Sequence, residues 1–222
     1  MTENFLGKIM AKNISAHIHY TDPYEGLDIL SHDEQGWNST GTSFEAAIRE
    51  SNARLIIEVG TWKGASAFNM AKIALSDLNY PREELEIVCI DTFLGSVEHL
   101  TTMATFQPGN GTKKNGRPTV YEQFLSNVIH KGYQDIITPF PVDSYNGALC
   151  LKHWNVQADL IYIDAGHDYD SVYNDFKLYK DVLRDGGHLM IDDWHHGPIR
   201  EAAKAVFGDT TKDFHGKALW IK

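Results

Sequence analysis

Between residues 158 and 194 the chain alternates from apolar to amphipathic and back to apolar. Residues 160–163 and 189–191 are short apolar runs, the first followed by Asp164 and the second by Asp192 and Asp193. Between them Val172, Phe176, Tyr179 and Leu183 recur at helical spacing on one face, and Gly186 and Gly187 are expected to stop that helix. The pattern predicts strand, helix, strand. In a parallel sheet both strand ends reach the same edge, so Asp164, Asp192 and Asp193 are expected to meet there. Three carboxylates at one edge repel each other unless a cation neutralises them, which makes a divalent metal the first chemical expectation.

The same alternation extends upstream. Residues 1–41 show weak periodicity, with His17, His19 and Tyr20 among turn-formers. They are expected either to form an arm or cap over the site or a second subunit, or to be a poorly ordered extension. Thr42 and Glu45 have capping-box spacing ahead of Phe44, Ala47 and Ile48, which predicts a helix to about residue 52. Residues 55–59 are apolar except for Glu58, as in a central strand, and Gly60 and Gly64 follow before a helix over 65–76. Such glycines let a backbone approach a ligand, and the helix start favours an anionic group. A second strand over 86–90 ends at Asp91, the position from which one carboxylate can accept both hydrogen bonds of a ribose.

No period survives from 94 to 118, and this stretch reads as a lid loop whose Leu100, Met103 and Phe106 could line a pocket. A helix over 120–131 ends at Gly132. A strand over 136–140 leads through Asp143 and Ser144 into a helix to 154, and a helix over 198–207 and a strand over 218–221 close the chain. The order predicts an α/β fold with a doubly wound, mostly parallel sheet and helices on both faces. The ligand crevice lies beyond the carboxyl ends of the strands, where Glu58, Asp91, Asp143 and Asp164 fall.

Composition narrows the function. The chain has 222 residues, 42% of them hydrophobic, enough for one core over 42–222. Its net charge of −10 argues against nucleic acid or a polyanionic substrate. Cys89 and Cys150 sit among apolar residues as thiols suited to a reducing compartment. With no signal-length apolar core and no run of roughly 18 apolar residues, the expectation is a soluble, cytoplasmic protein without a membrane partner.

In EVGTWKGASA, CIDTF, FPVDSY, IYIDAGHDY and GGHLMIDDW the chain resembles, over residues 44–207, the class I S-adenosylmethionine-dependent methyltransferases. It is most similar to metal-dependent O-methyltransferases of the catechol and macrocin O-methyltransferase types. The resemblance implies a Rossmann-like S-adenosylmethionine-binding domain in which Glu58, Gly60, Thr61 and Gly64 hold the methionine portion. Asp91 would bind the ribose with Thr92 and Phe93 beside it, Phe93 flanking the adenine, and Asp143 and Ser144 would meet the adenine end. Asp164, Asp192 and Asp193 fall on the positions that hold a Mg²⁺-like cation, Asp164 also reaching the cofactor side, and His167 on that of the base. The implied reaction is methyl transfer to a hydroxyl of a small molecule, a sugar or a diol-containing metabolite.

Some features depart from that pattern. The tail after Phe207 is short, so the last hairpin is expected to be trimmed or replaced. Asp193 stands where the catechol type generally has asparagine. His195 and His196 could add a ligand, contact substrate or face solvent, while Trp62 and Trp194 could wall the crevice. A nicotinamide-dependent oxidoreductase is the rival enzyme, although the first turn lacks the full G-x-G-x-x-G pattern. An iron oxygenase is a further option. A non-catalytic S-adenosylmethionine-binding protein of the same fold is another, and a homo-oligomer remains open.

Overall fold

In the computed structural model, which describes residues 14–101 and 113–222, the apolar runs form the middle of one sheet. The first described elements are α1 (Ile14–Ile18), α2 (Thr42–Ser51), β1 (Leu55–Val59) and α3 (Ala65–Lys72). Next come β2 (Glu86–Asp91), α4 (Val97–Thr101), a two-residue pair β3 (Lys113–Lys114) and β4 (Arg117–Pro118), and α5 (Val120–Lys131). The second half holds β5 (Ile137–Pro141), α6 (Ser144–His153), β6 (Ala158–Ile163), α7 (Tyr169–Val182) and β7 (Leu183–Ile191). It closes with α8 (Gly197–Phe207), β8 (Lys212–Phe214) and β9 (Lys217–Ile221).

The sheet order is β5-β2-β1-β6-β7-β9-β8. All neighbours from β5 to β7 pair in parallel, while β9 runs antiparallel to both β7 and β8. The chain leaves β1 towards β2 and β5, then returns to place β6 on the other side of β1. The carboxyl ends of β1 and β6 therefore border the switch point where a doubly wound sheet holds its ligand.

Side-chain alternation along the strands separates two cores. Ile56, Ile87, Leu160 and Met190 face Phe44 of α2, Phe68 of α3 and Phe124 of α5. Ile57, Val88, Ile161 and Leu189 face Leu151 of α6, Phe176 of α7 and Ala202 of α8. The expected helices on both faces are present, and the final hairpin is short, with strands of three and five residues.

Three local expectations change. The N-cap of α2 is Gly41 without a side-chain cap, and Glu45 instead pairs with Arg49 one turn on (2.5 Å). The helix after Gly64 is α-helical only to Lys72 and finishes as a π-helical turn over Ile73–Asp77. Gly186 and Gly187 do not end α7, which stops at Val182. They lie inside β7, where the pairing jumps from Ala158↔Leu183 to Leu160↔His188. A bulge with Gly186 at φ 72° absorbs the extra residues.

The described part of the arm lies along the edge strand β5. Tyr24 donates its hydroxyl to the Ile137 carbonyl (2.7 Å), and His19 Nε2 lies 2.7 Å from that of Pro139. Further on, Asp33 pairs with the buried Lys63 (2.6 Å), while Asn127 accepts the Asp33 N–H and donates to the carbonyls of Asp33 and Lys63. Among the described residues no helix is long and apolar enough to cross a membrane.

Candidate active site

The carboxyl ends of β1, β2, β5, β6 and β7 open into a cavity of about 640 Å³. Its first half begins at Gly60, whose φ is 90° and where a β-carbon would overlap the Asp164 carbonyl, so only glycine fits. The turn then presents its amides to one carboxylate: Thr61 and Trp62 donate to Asp91 Oδ2 at 3.0 and 2.8 Å, and Phe93 to Oδ1 at 2.7 Å. Asp91 is thus locked at the tip of β2, facing the cavity. At β5, Asp143 caps α6 by accepting the Asn146 N–H (2.9 Å), which holds its carboxyl below the usual range. Ser144 follows, its carbonyl fixed by the Tyr179 hydroxyl (2.9 Å).

Gly60, Thr61, Asp91, Thr92, Asp143, Ser144 and Asp164 all line the cavity. Glu58, Gly64 and Phe93, expected with them, lie behind its wall. Glu58 is fully buried and accepts the hydroxyls of Thr61 (2.9 Å) and Ser66, which ties the strand end to the start of α3. Burial pushes its carboxyl up to about 8. Gly64 is the N-cap of α3 at φ 96°. Phe93 is 2% exposed and packs on Tyr121 and Phe124, so it belongs to the core instead of flanking a ligand.

The second half is acidic. Asp164 donates its N–H to Val59 and Asp192 to Ile163, each continuing the register of neighbouring parallel strands and setting the two aspartates side by side. Burial and the nearby Asp192 raise Asp164 well above the ordinary carboxylate range. Asp192 borders the cavity but is heavily bonded: Oδ1 lies 2.7 Å from Lys217 Nζ and accepts the Asp193 N–H (2.8 Å), while Oδ2 accepts the Tyr162 hydroxyl (2.6 Å). Asp193 has a histidine partner instead, its Oδ2 3.0 Å from His167 Nε2, and this hydrogen bond lowers its pKa.

The three expected metal aspartates therefore divide. Ligand atoms that lie within 4.8 Å of one another come from Asp164, His167 and Asp193, and separately from Asp193, His195 and His196. Asp192 belongs to neither group. Its partners Lys217 and Tyr162 were absent from the sequence-derived site. The available signals were a lysine opening the otherwise apolar last strand and a tyrosine within the apolar run before Asp164.

An aromatic group lines the cavity. Trp62 and the His99 ring stack at 4.2 Å, Trp37 leans on both, and Gln35 accepts the Trp62 indole N–H (3.1 Å). The arm and the first turn of the expected lid thus both reach the cavity, through Gln35, Trp37, Ser96 and His99. Leu100 points to solvent instead of the pocket, and Trp194 packs in the second core instead of walling the crevice. Met103 and Phe106 lie outside the described residues.

A family model described as a methyltransferase domain matches residues 57–194, well over half of the chain. No curated protein matches the sequence at a significant level. Among solved structures, the calicheamicin methyltransferase CalS11 is similar at 17% identity, with a TM-score of 0.58 over 81% of this chain and 77% of its own. TomG from Streptomyces achromogenes, an O-methyltransferase solved with S-adenosylmethionine, shows 15% identity and a TM-score of 0.56 over 99% and 98%. An O-methyltransferase from Bacillus cereus, solved with S-adenosylhomocysteine, shows 13% identity and a TM-score of 0.53 over 100% and 92%. With the sheet order, the glycine turn and the Asp91 cradle in place, the chain belongs to the methyltransferase-domain family, in the class I S-adenosylmethionine-dependent fold.

Proposed function

We propose that the chain is an O-methyltransferase that moves the methyl group of S-adenosylmethionine onto a hydroxyl of a small molecule, with His167 as base. The observation that carries this reading is the His167–Asp193 contact of 3.0 Å on the wall of the cavity that also holds Asp91 and Asp143. When bound, S-adenosylmethionine supplies an electrophilic methyl on a sulfonium. The chain's own groups do the rest. Asp91, fixed by three amides, keeps one acceptor position for a ribose hydroxyl, and Asp143 and Ser144, on the same cavity wall, would meet the far end of a nucleoside. Asp193 orients the imidazole and stabilises its charged form, so His167 can take the acceptor's hydroxyl proton as the oxygen becomes a nucleophile. The aromatic lining shields that step on one side from water and offers a flat face to a ring.

A cyclic acceptor such as a sugar suits this lining. In support, one structurally similar protein is described as a TDP-rhamnose 3'-O-methyltransferase. A cation held jointly by Asp164, Asp192 and Asp193 does not fit the side chains present, because Asp192 is already paired with the Lys217 ammonium and bonded by the Tyr162 hydroxyl. The nicotinamide reading receives no support from the family match.

Calorimetric titration with S-adenosylmethionine and with NAD tests the cofactor half. Binding of the first and not the second is expected, and the reverse would sink the reading. For the base, His167→Ala is expected to keep cofactor affinity and lower kcat about 10²- to 10⁴-fold on any acceptor that wild type methylates. An undiminished kcat would remove His167 from the chemistry.

A further inference from the structure

We propose that Lys217 is the resident cation of the acidic edge: its ammonium closes at Asp192 the place that a metal ion would need, leaving the Asp193–His167 pair to work without an ion shared by the three aspartates. The inference rests on the methyltransferase reading but concerns a different part of the site. A carboxylate offers about four lone-pair positions, and at Asp192 the Lys217 ammonium, the Tyr162 hydroxyl and the Asp193 amide take three of them.

The lysine is built in. Its side chain and that of Asp192 are each 6% exposed. Nζ also donates to the Tyr162 hydroxyl (3.1 Å) and lies over the rings of Phe44 and Tyr162 at 5.1 and 5.0 Å. Sheet pairing delivers it: β9 is zipped to β7 with Ala218 opposite Ile191, so the residue before Ala218 arrives beside the residue after Ile191. A divalent ion on Asp192 would sit against this buried ammonium and be repelled by it. The remaining donors Asp164, His167 and Asp193 include His167 itself, so an ion seated among them would claim an imidazole nitrogen of the base.

The test uses the metal alone. Wild type, Asp192→Asn, Lys217→Met and the double variant are titrated with MgCl₂ and MnCl₂ by calorimetry, with thermal melting by circular dichroism as the fold check and a separate S-adenosylmethionine titration of wild type. Asp192→Asn is expected to leave wild-type metal uptake unchanged. Lys217→Met uncovers Asp192 beside Asp164 and Asp193, and is expected to gain saturable binding at least about tenfold tighter than wild type. The double variant should lose that gain, which a merely structural lysine would not produce. Metal binding by wild type that weakens about tenfold or more in Asp192→Asn overturns the proposal, as does a folded Lys217→Met protein that gains nothing. If Lys217→Met does not fold, the Asp192→Asn comparison decides alone. Loss of S-adenosylmethionine binding in wild type would defeat the functional reading and leave the metal result standing.

Discussion

A carboxyl group shut away from water persists only if a proton, a cation or a set of donors offsets its charge. Two acids of this site meet that demand differently. Asp192 has an ammonium and a hydroxyl, whereas Glu58 has two hydroxyls and no cation, so burial raises it from 4.5 to about 8. The folded chain therefore holds the Glu58 proton more tightly than the unfolded chain does. This contribution to stability is fully present below the unfolded value of 4.5 and is lost as pH rises through about 8. Glu58→Gln accepts from one of the two hydroxyls and donates its amide to the other, but cannot ionise. Its melting temperature is expected to fall less than that of wild type between about pH 6 and pH 9, as read by differential scanning calorimetry. Parallel curves would contradict the assignment. Asp91 and Asp164 could be put at the sheet edge from sequence because the tip of a parallel strand is a position that local pattern predicts, whereas His167 is identified only through the family resemblance. Lys217 could not be placed, because its partner is 25 positions away and meets it only through the pairing of β9 with β7.

Among the elements, helix starts separate spacing from geometry. Asp168 is a true N-cap of α7, accepting the Ser171 N–H at 3.0 Å. Thr42, despite capping-box spacing, is already inside α2, with Gly41 at the cap. Asp168→Ala is expected to cost about 1 kcal/mol, whereas Thr42→Ala, at an exposed position inside the helix where alanine is the better helix former, is expected to cost nothing, both measured by urea denaturation. Equal losses would mean that Thr42 caps after all. The apolar runs identified the central strands and the apolar stripes identified α5 and α7, because burial on one or both faces imposes those periods. The glycines of β7 were misread because a glycine pair after an amphipathic stripe looks the same whether it ends a helix or opens a bulge. Only the partner strand distinguishes the two.

For the molecule as a whole, the weakly patterned arm turns out to be anchored by individual polar contacts that leave no periodic trace. Asn127 is the clearest case: it is fully buried and bonded to the backbone of both Asp33 and Lys63. Asn127→Ala leaves these groups without their partner and is expected to cost about 1–3 kcal/mol. Limited proteolysis should then cut the variant faster than wild type within residues 30–41, and equal rates would show that the arm is held elsewhere.

The arm has another effect where it follows β5. An open sheet ends in two rows of backbone groups that invite another chain to pair. On the β5 side, Tyr24 and His19 occupy the carbonyls of Ile137 and Pro139, and prolines at 139 and 141 lack an N–H to donate. On the other side the sheet stops at β8, three residues long. The first border is therefore capped and the second offers only three residues of backbone, so the sheet gives a strand of another copy little to pair with.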